Sequence, residues 1–215
     1  MRPIQALRMR TPSAGTPVAS IKGHGIAYVN LSNTCNFPLP AGSAAGDNIT
    51  LFIGHSWDTT APLAGAKWFR ASHLTGSNYN GSTFSAVLDA TDISNGAITI
   101  SFAGSGYGHV AGVVFSGTRT YRDKGDSRNG TGAASRTVTS GALPQVGDGM
   151  LFFASSYLGT AASSSDLSST LELSNQANST AIFRVGSVTV AGAQSATVGY
   201  SGSPAGDYQV LYIFY

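Results

Sequence analysis

A chain of 215 residues can bury a full core, and all-β sandwiches of this length are often one domain. Only 10% of the residues are charged, against about 25% in an average soluble protein, and the net charge of +2 excludes the dense basic face that nucleic-acid binding needs. Gly occurs 27 times and Glu172 is the only Glu, so helix formers are scarce and turn formers abundant.

In chain order, residues 1–25 read as an extended N-terminal arm, punctuated by Pro3, Pro12 and Pro17 and carrying Arg2, Arg8 and Arg10. Two readings stand for it: a loose terminus, or a tether along a neighbouring subunit. Met1–Arg10 has no apolar stretch of the signal-peptide kind, and no run of about 18 apolar residues offers a membrane span.

Residues 26–215 read as a single all-β domain, an antiparallel β-sandwich of jelly-roll type. Strands are predicted at 26–29, 49–55, 66–72, 83–89, 97–103 and 110–116. A second series follows at 135–139, 149–156, 168–173, 180–185, 187–191, 195–200 and 208–214. Ile98, Ile100 and Phe102 alternate with Thr99 and Ser101, as do Val188 and Val190 around Thr189. The single helical candidate is 84–93. Gly104-Ser105-Gly106-Tyr107-Gly108 superficially resembles a phosphate-cradling loop, but it lacks the spacing and the following helix, so a hairpin turn is expected.

The pattern is written twice. Leu39-Pro40 leads to Gly46-Asp47 and an apolar strand; Leu143-Pro144 leads to Gly147-Asp148 and another. About fifty residues on, Thr99–Ser105 with Val113–Phe115 matches Thr197–Ser203 with Leu211–Ile213. Two related halves are therefore expected, about 39–117 and 143–215, joined by a charged loop at 118–136. Each Gly supplies the positive φ of a turn, and each Asp accepts hydrogen bonds from the turn's own backbone. The joining segment holds about a third of the charges in the chain. It reads either as a solvated loop or as a contact loop anchored by Arg119, Tyr121 and Arg122.

No chemistry stands out. There is no nucleophile elbow, the four His residues are scattered, and no carboxylate pair suits glycoside hydrolysis. His109 stands where the second half has Asp207, and both read as solvated residues where a strand begins. No catalytic, metal or cofactor site is expected. Cys35, the only cysteine, reads as a small buried hydrophobe. Trp57 beside Asp58, and Tyr79 between Asn78 and Asn80, are candidates for stacking on a sugar, although a Trp at a strand end is commonly a core residue. Trp68 reads as core.

Taken together, Leu39-Pro40, Gly46-Asp47 with its strand, Ser56-Trp57-Asp58-Thr59, Trp68-Phe69-Arg70-Ala71-Ser72, Thr83-Phe84-Ser85, the strand pair over 98–116 and Gly147-Asp148 resemble a jelly-roll module of tailed-bacteriophage virion proteins, found in tail, collar and head-surface components. The chain departs from it in having Ser56–Pro62 where members often carry Pro-Pro-Gly-Trp. The resemblance implies a non-enzymatic virion structural protein, made in the bacterial cytoplasm and placed on the particle surface as a capsid decoration or tail component. Its partners would be other virion proteins and copies of itself, with Arg8, Arg10, Arg119, Tyr121 and Arg122 as contact candidates. The alternative is a carbohydrate-binding module that meets a host-surface glycan through Trp57, Asp58 and Tyr79.

Overall fold

A computed structural model describes residues 20–57, 67–75, 79–117, 121–129, 134–158, 162–164, 169–176, 178–200 and 204–215. The protein is all-β with antiparallel sheets. Its strands are β1 (Ile21–Pro38), β2 (Asn48–His55), β3 (Phe69–Leu74), β4 (Asn80–Val87), β5 (Ala97–Phe115), β6 (Tyr121–Asn129), β7 (Ser135–Thr139), β8 (Gly149–Tyr157), β9 (Ala162–Ser164), β10 (Ser169–Gln176), β11 (Ser179–Ser187), β12 (Ser195–Tyr200) and β13 (Gly206–Phe214). One short helix, α1 (Ala90–Asn95), is bounded by a capping box at Asp89 and by Gly96 at φ 65°.

One five-stranded sheet runs β1-β5-β2-β4-β3 and a second runs β6-β13-β8-β11-β10, with a third of order β7-β12-β9. The Gly-Asp strands β2 and β8 hold the central place in the first two. Both turns behave as their sequences require. Gly46 and Gly147 have φ of 92° and 93°. Asp47 Oδ2 accepts from the Ala44 amide at 2.7 Å, and Asp148 Oδ2 accepts from the Gln145 amide at 2.7 Å. A cation meets each carboxylate: Lys22 Nζ lies 2.8 Å from Asp47 and Arg122 Nε 2.6 Å from Asp148.

Three apolar cores stack through the molecule. The central one joins the two large sheets through Phe52, Val113, Phe115, Phe153, Tyr208 and Phe214. Alternation sends the other faces of the same strands outward, to Ile49, Leu51 and Ile53 in the first sheet and to Phe152, Ala154 and Ile182 in the second. Each outer face is covered in turn. Val138, Ala196 and Val198 of the three-stranded sheet cover the second. Ile98, Ile100 and Phe102, the alternating triplet of the sequence, cover the first. Cys35 lies in that same core as a buried hydrophobe, its thiol pushed up to about 11 by desolvation.

Ile98–Phe102 reach that position because β5 is one 19-residue strand that bends. Residues 108–115 pair with β2, while 97–101 pair only with β1. The glycine-rich segment expected to be a hairpin lies inside this strand. Its partner β1 slips register between Val29 and Thr34, with Leu31 at φ 48°. Glycine serves a sharp bend as well as a turn, and here the paired and bulged β1 makes it a bend.

Other expectations change in the same way. Strand β1 begins at Ile21, so the final residues expected in the arm are sheet; residues 1–19, with Arg8 and Arg10, lie outside the described residues. The charged segment expected as a loop contains β6, an edge strand whose charges are typical of exposed edges. The 84–93 helix is confined to 90–95, and the strand expected at 187–191 ends at Ser187. Beyond it Val188 turns inward and Val190 outward.

Candidate functional site

The residues proposed for sugar contact part company. Tyr79 is fully buried in the central core, where its hydroxyl meets Ser155 Oγ at 2.5 Å. It has no surface with which to stack on a ligand, and burial raises its phenol pKa well above the ordinary value. Trp57 is 52% exposed. Its indole lies across the backbone of β5, so closely that a Cβ on Gly104 or Gly106 would stand 3.0 and 2.7 Å from its ring atoms. One face of the ring is covered by glycine backbone. Asp58 lies outside the described residues. Trp68 packs partly buried against the first outer core.

Trp57 is held by His55, whose Nδ1 accepts from the Trp57 amide at 3.0 Å and whose ring stacks on Phe102 at 3.8 Å and 8°. With Nδ1 accepting, Nε2 carries the proton. Desolvation lowers the His55 pKa to about 4, against the opposing pull of backbone hydrogen bonds at Trp57, Gly106 and Ser32. The imidazole therefore stays neutral and works as a flat spacer between Trp57 and the core.

His109 and Asp207, expected at the surface, are both fully buried. The pairings also shift the correspondence: His109 lies opposite Gly54, while Tyr208, not Asp207, lies opposite Ser155. Gly54 and Ser155 each stand seven residues after their Gly-Asp aspartate. His109 joins the two sheets through a chain of hydroxyls. Ser179 Oγ donates to the Ser156 carbonyl at 2.9 Å, so His109 Nδ1–H donates to Ser179 Oγ at 2.8 Å. Nε2 then accepts from Ser174 Oγ at 3.0 Å. Desolvation pulls this imidazole down to about 3. A neutral, enclosed His with both nitrogens engaged is a clasp between sheets; it has no access to a substrate.

Of the contact candidates, Tyr121 is half-buried beside Tyr212, with ring centroids 5.1 Å apart. Arg122 is spent on Asp148 and on the Tyr215 ring, 4.1 Å beneath its guanidinium. Arg119 lies outside the described residues. Among the described residues no three His, Cys, Asp or Glu side chains gather as a metal-binding group, and no helix is long and apolar enough to cross a membrane.

Sequence reading overlooked an apolar tip. Leu143, Val146 and Val190 are 65%, 67% and 71% exposed. They stand on two adjacent loops tied by the Gly192 amide donating to the Pro144 carbonyl at 2.9 Å. Ahead of the Gly46-Asp47 turn the residues are small or polar, Ala41 to Ala45, and the C-cap of α1 is tied there by the Leu39 amide donating to the Gly96 carbonyl at 2.9 Å. The sequence signal was Val146, apolar where the Gly46-Asp47 turn has Ala45; Leu143 matches Leu39, which packs against the first outer core, so its exposure was not legible.

No protein-family model, curated protein or solved structure matches this chain.

Proposed function

We propose that the protein is a non-enzymatic structural subunit that acts by protein–protein assembly, an accessory surface component of a bacteriophage particle on its capsid or tail. The observation that carries the assembly reading is the apolar tip. Three aliphatic side chains, each about two-thirds exposed on loops tied by a backbone hydrogen bond, offer apolar surface for a docking contact to cover. The low charge of 10% agrees with faces covered by neighbours. The virion setting rests on the sequence resemblance.

The jelly-roll description and the origin of the halves belong to the same reading. We propose that the halves are copies of one unit, which accounts for the matching strand orders, turn hydrogen bonds and φ values. The second reading, glycan adhesion, retains Trp57 as its one exposed aromatic candidate and loses Tyr79.

The test is immunogold electron microscopy of purified particles, with wild-type protein and the pair L143E/V190E. Gold on head or tail, lost in the pair, is expected. Absence of gold on any particle sinks the virion reading, and unchanged labelling by a folded L143E/V190E protein sinks the role of the tip.

A further inference from the structure

A cleft of about 230 Å³ opens between the two large sheets, where Asn48 begins β2. Asn48, Phe69, Ser85, Val87, Tyr121 and Tyr212 line it. Its volume lies below the ~300 Å³ at which small-molecule pockets begin.

What the cleft leaves uncovered is apolar. Ser85 Oγ is bonded to Thr50 Oγ1 at 3.0 Å, and Lys67 Nζ at the rim is held by Asp89 at 2.7 Å and Asp92 at 2.8 Å. Phe69 and Val87, by contrast, are 61% and 45% exposed. Alternation along β4 sends Phe84 and Ala86 to the first outer core, so Val87 faces the second sheet. Phe69 does the same, since it pairs with Ser85. Strand β3, which carries Phe69, is the last strand of its sheet, and its outer edge has no strand beside it among the described residues. An apolar wall beside an open strand edge suits an extended peptide whose alternate side chains are apolar.

The N-terminal arm contains such a peptide. Pro3 and Pro12 bound residues 4–11, a run in which every backbone N–H can donate and in which Leu7 and Met9 alternate with Arg8 and Arg10. The arm also departs from the right place. The described chain begins at Ser20, whose Oγ meets Ser116 Oγ at 3.1 Å. Ile21, Phe115, Asn48 and Val87 stand in one row across β1, β5, β2 and β4, at the end of the sheet where the cleft opens. Four strand spacings, about 19 Å, separate β1 from β3. Residues 11–19 span up to about 30 Å when extended, enough to carry the run there.

From this we infer that residues 4–11 dock on their own domain, paired with the outer edge of β3, with Leu7 and Met9 set against Phe69 and Val87 and with Arg8 and Arg10 turned away. The seat is independent of the apolar tip and of the virion setting.

NMR on the full chain with methyl-labelled Met tests it, Met9→Leu identifying the Met9 signal. The Met9 methyl is expected to show nuclear Overhauser contacts with the Phe69 ring, lost in Phe69→Ser. Amides on the outer edge of β3 are expected to exchange at least about tenfold faster in the full-length L7E/M9E variant than in wild type. Should Phe69→Ser fail to fold, L7E/M9E carries the test alone. A Met9 methyl without contact to Phe69, or equal exchange in folded L7E/M9E, overturns the inference. So does a contact seen only between labelled and unlabelled copies, which would make the arm a link between subunits.

Discussion

Phe52 and Phe153 stack on one another across the central core, ring centroids 6.0 Å apart at 27°. Each stands five residues after a Gly-Asp aspartate. Phe115 and Phe214, which pair with Asn48 and Gly149 at the starts of the two central strands, also meet across it, tilted at 57° with centroids 5.1 Å apart. Gly54 faces Ser155, whose Cβ would stand 2.8 Å from an added methyl. In these pairs each residue meets the one at the matching register position of the other large sheet.

Truncating either ring should be costly. Phe52→Ala and Phe153→Ala are each expected to lose about 3–5 kcal/mol in urea unfolding. The double variant should lose less than their sum, because the partners share one contact. Strict additivity would show that the stacked pair is not a coupled unit.

Gly81 has no room for a side chain. A Cβ there would lie 2.0 Å from the ring of Tyr208, which is fully buried and reaches Thr83 Oγ1 at 3.2 Å. Gly81→Ala is expected to destabilise by at least about 2 kcal/mol, in the range of overpacked cores. A melting temperature equal to wild type would mean that the sheets separate at little cost.

The Gly-Asp turns should respond alike. Gly46→Ala and Gly147→Ala force Ala to φ of 92° and 93°, at about 1–2 kcal/mol each, although no atom lies within 4 Å of an added Cβ. Equal losses in thermal melts are expected. Loss at one turn alone would show that the local geometry is not equivalent.

Acid should open the structure through its buried imidazoles. His55 and His109 have folded pKa values of about 4 and about 3, below the ordinary 6.5. The unfolded chain therefore binds protons first, and stability falls as pH drops below about 6.5 towards those values. At pH 5 each His is expected to cost about 2 kcal/mol relative to pH 7.5. His109→Gln, which cannot titrate, should flatten the slope of stability against pH between 7 and 5. An unchanged slope would place the acid sensitivity elsewhere.

Local chemistry made part of this molecule legible. The Gly-Asp turns were readable because a left-handed glycine and a carboxylate bonding its own turn involve only near neighbours. Alternation at Ile98, Ile100 and Phe102 identified a buried face, and the scarcity of helix formers identified the all-β class. Which core that face joins was not local. Gly104–Gly108 serves a turn or a bend equally well, and the bulged pairing with β1 chose the bend.

Tyr79 beside two Asn residues looked like a surface aromatic until Ser155, 76 positions away, enclosed it. A cleft of about 230 Å³ between the two large sheets likewise depends on Tyr121 and Tyr212 arriving over Asn48 and Ser85 from a different sheet. By itself the sequence determined the all-β class, the Gly-Asp turns and the buried face at Ile98, Ile100 and Phe102, since backbone propensity and side-chain period act over a few residues. The stacking of sheets decided what is buried, what is clasped and what is left open, because burial is set by whichever distant surface packs on top.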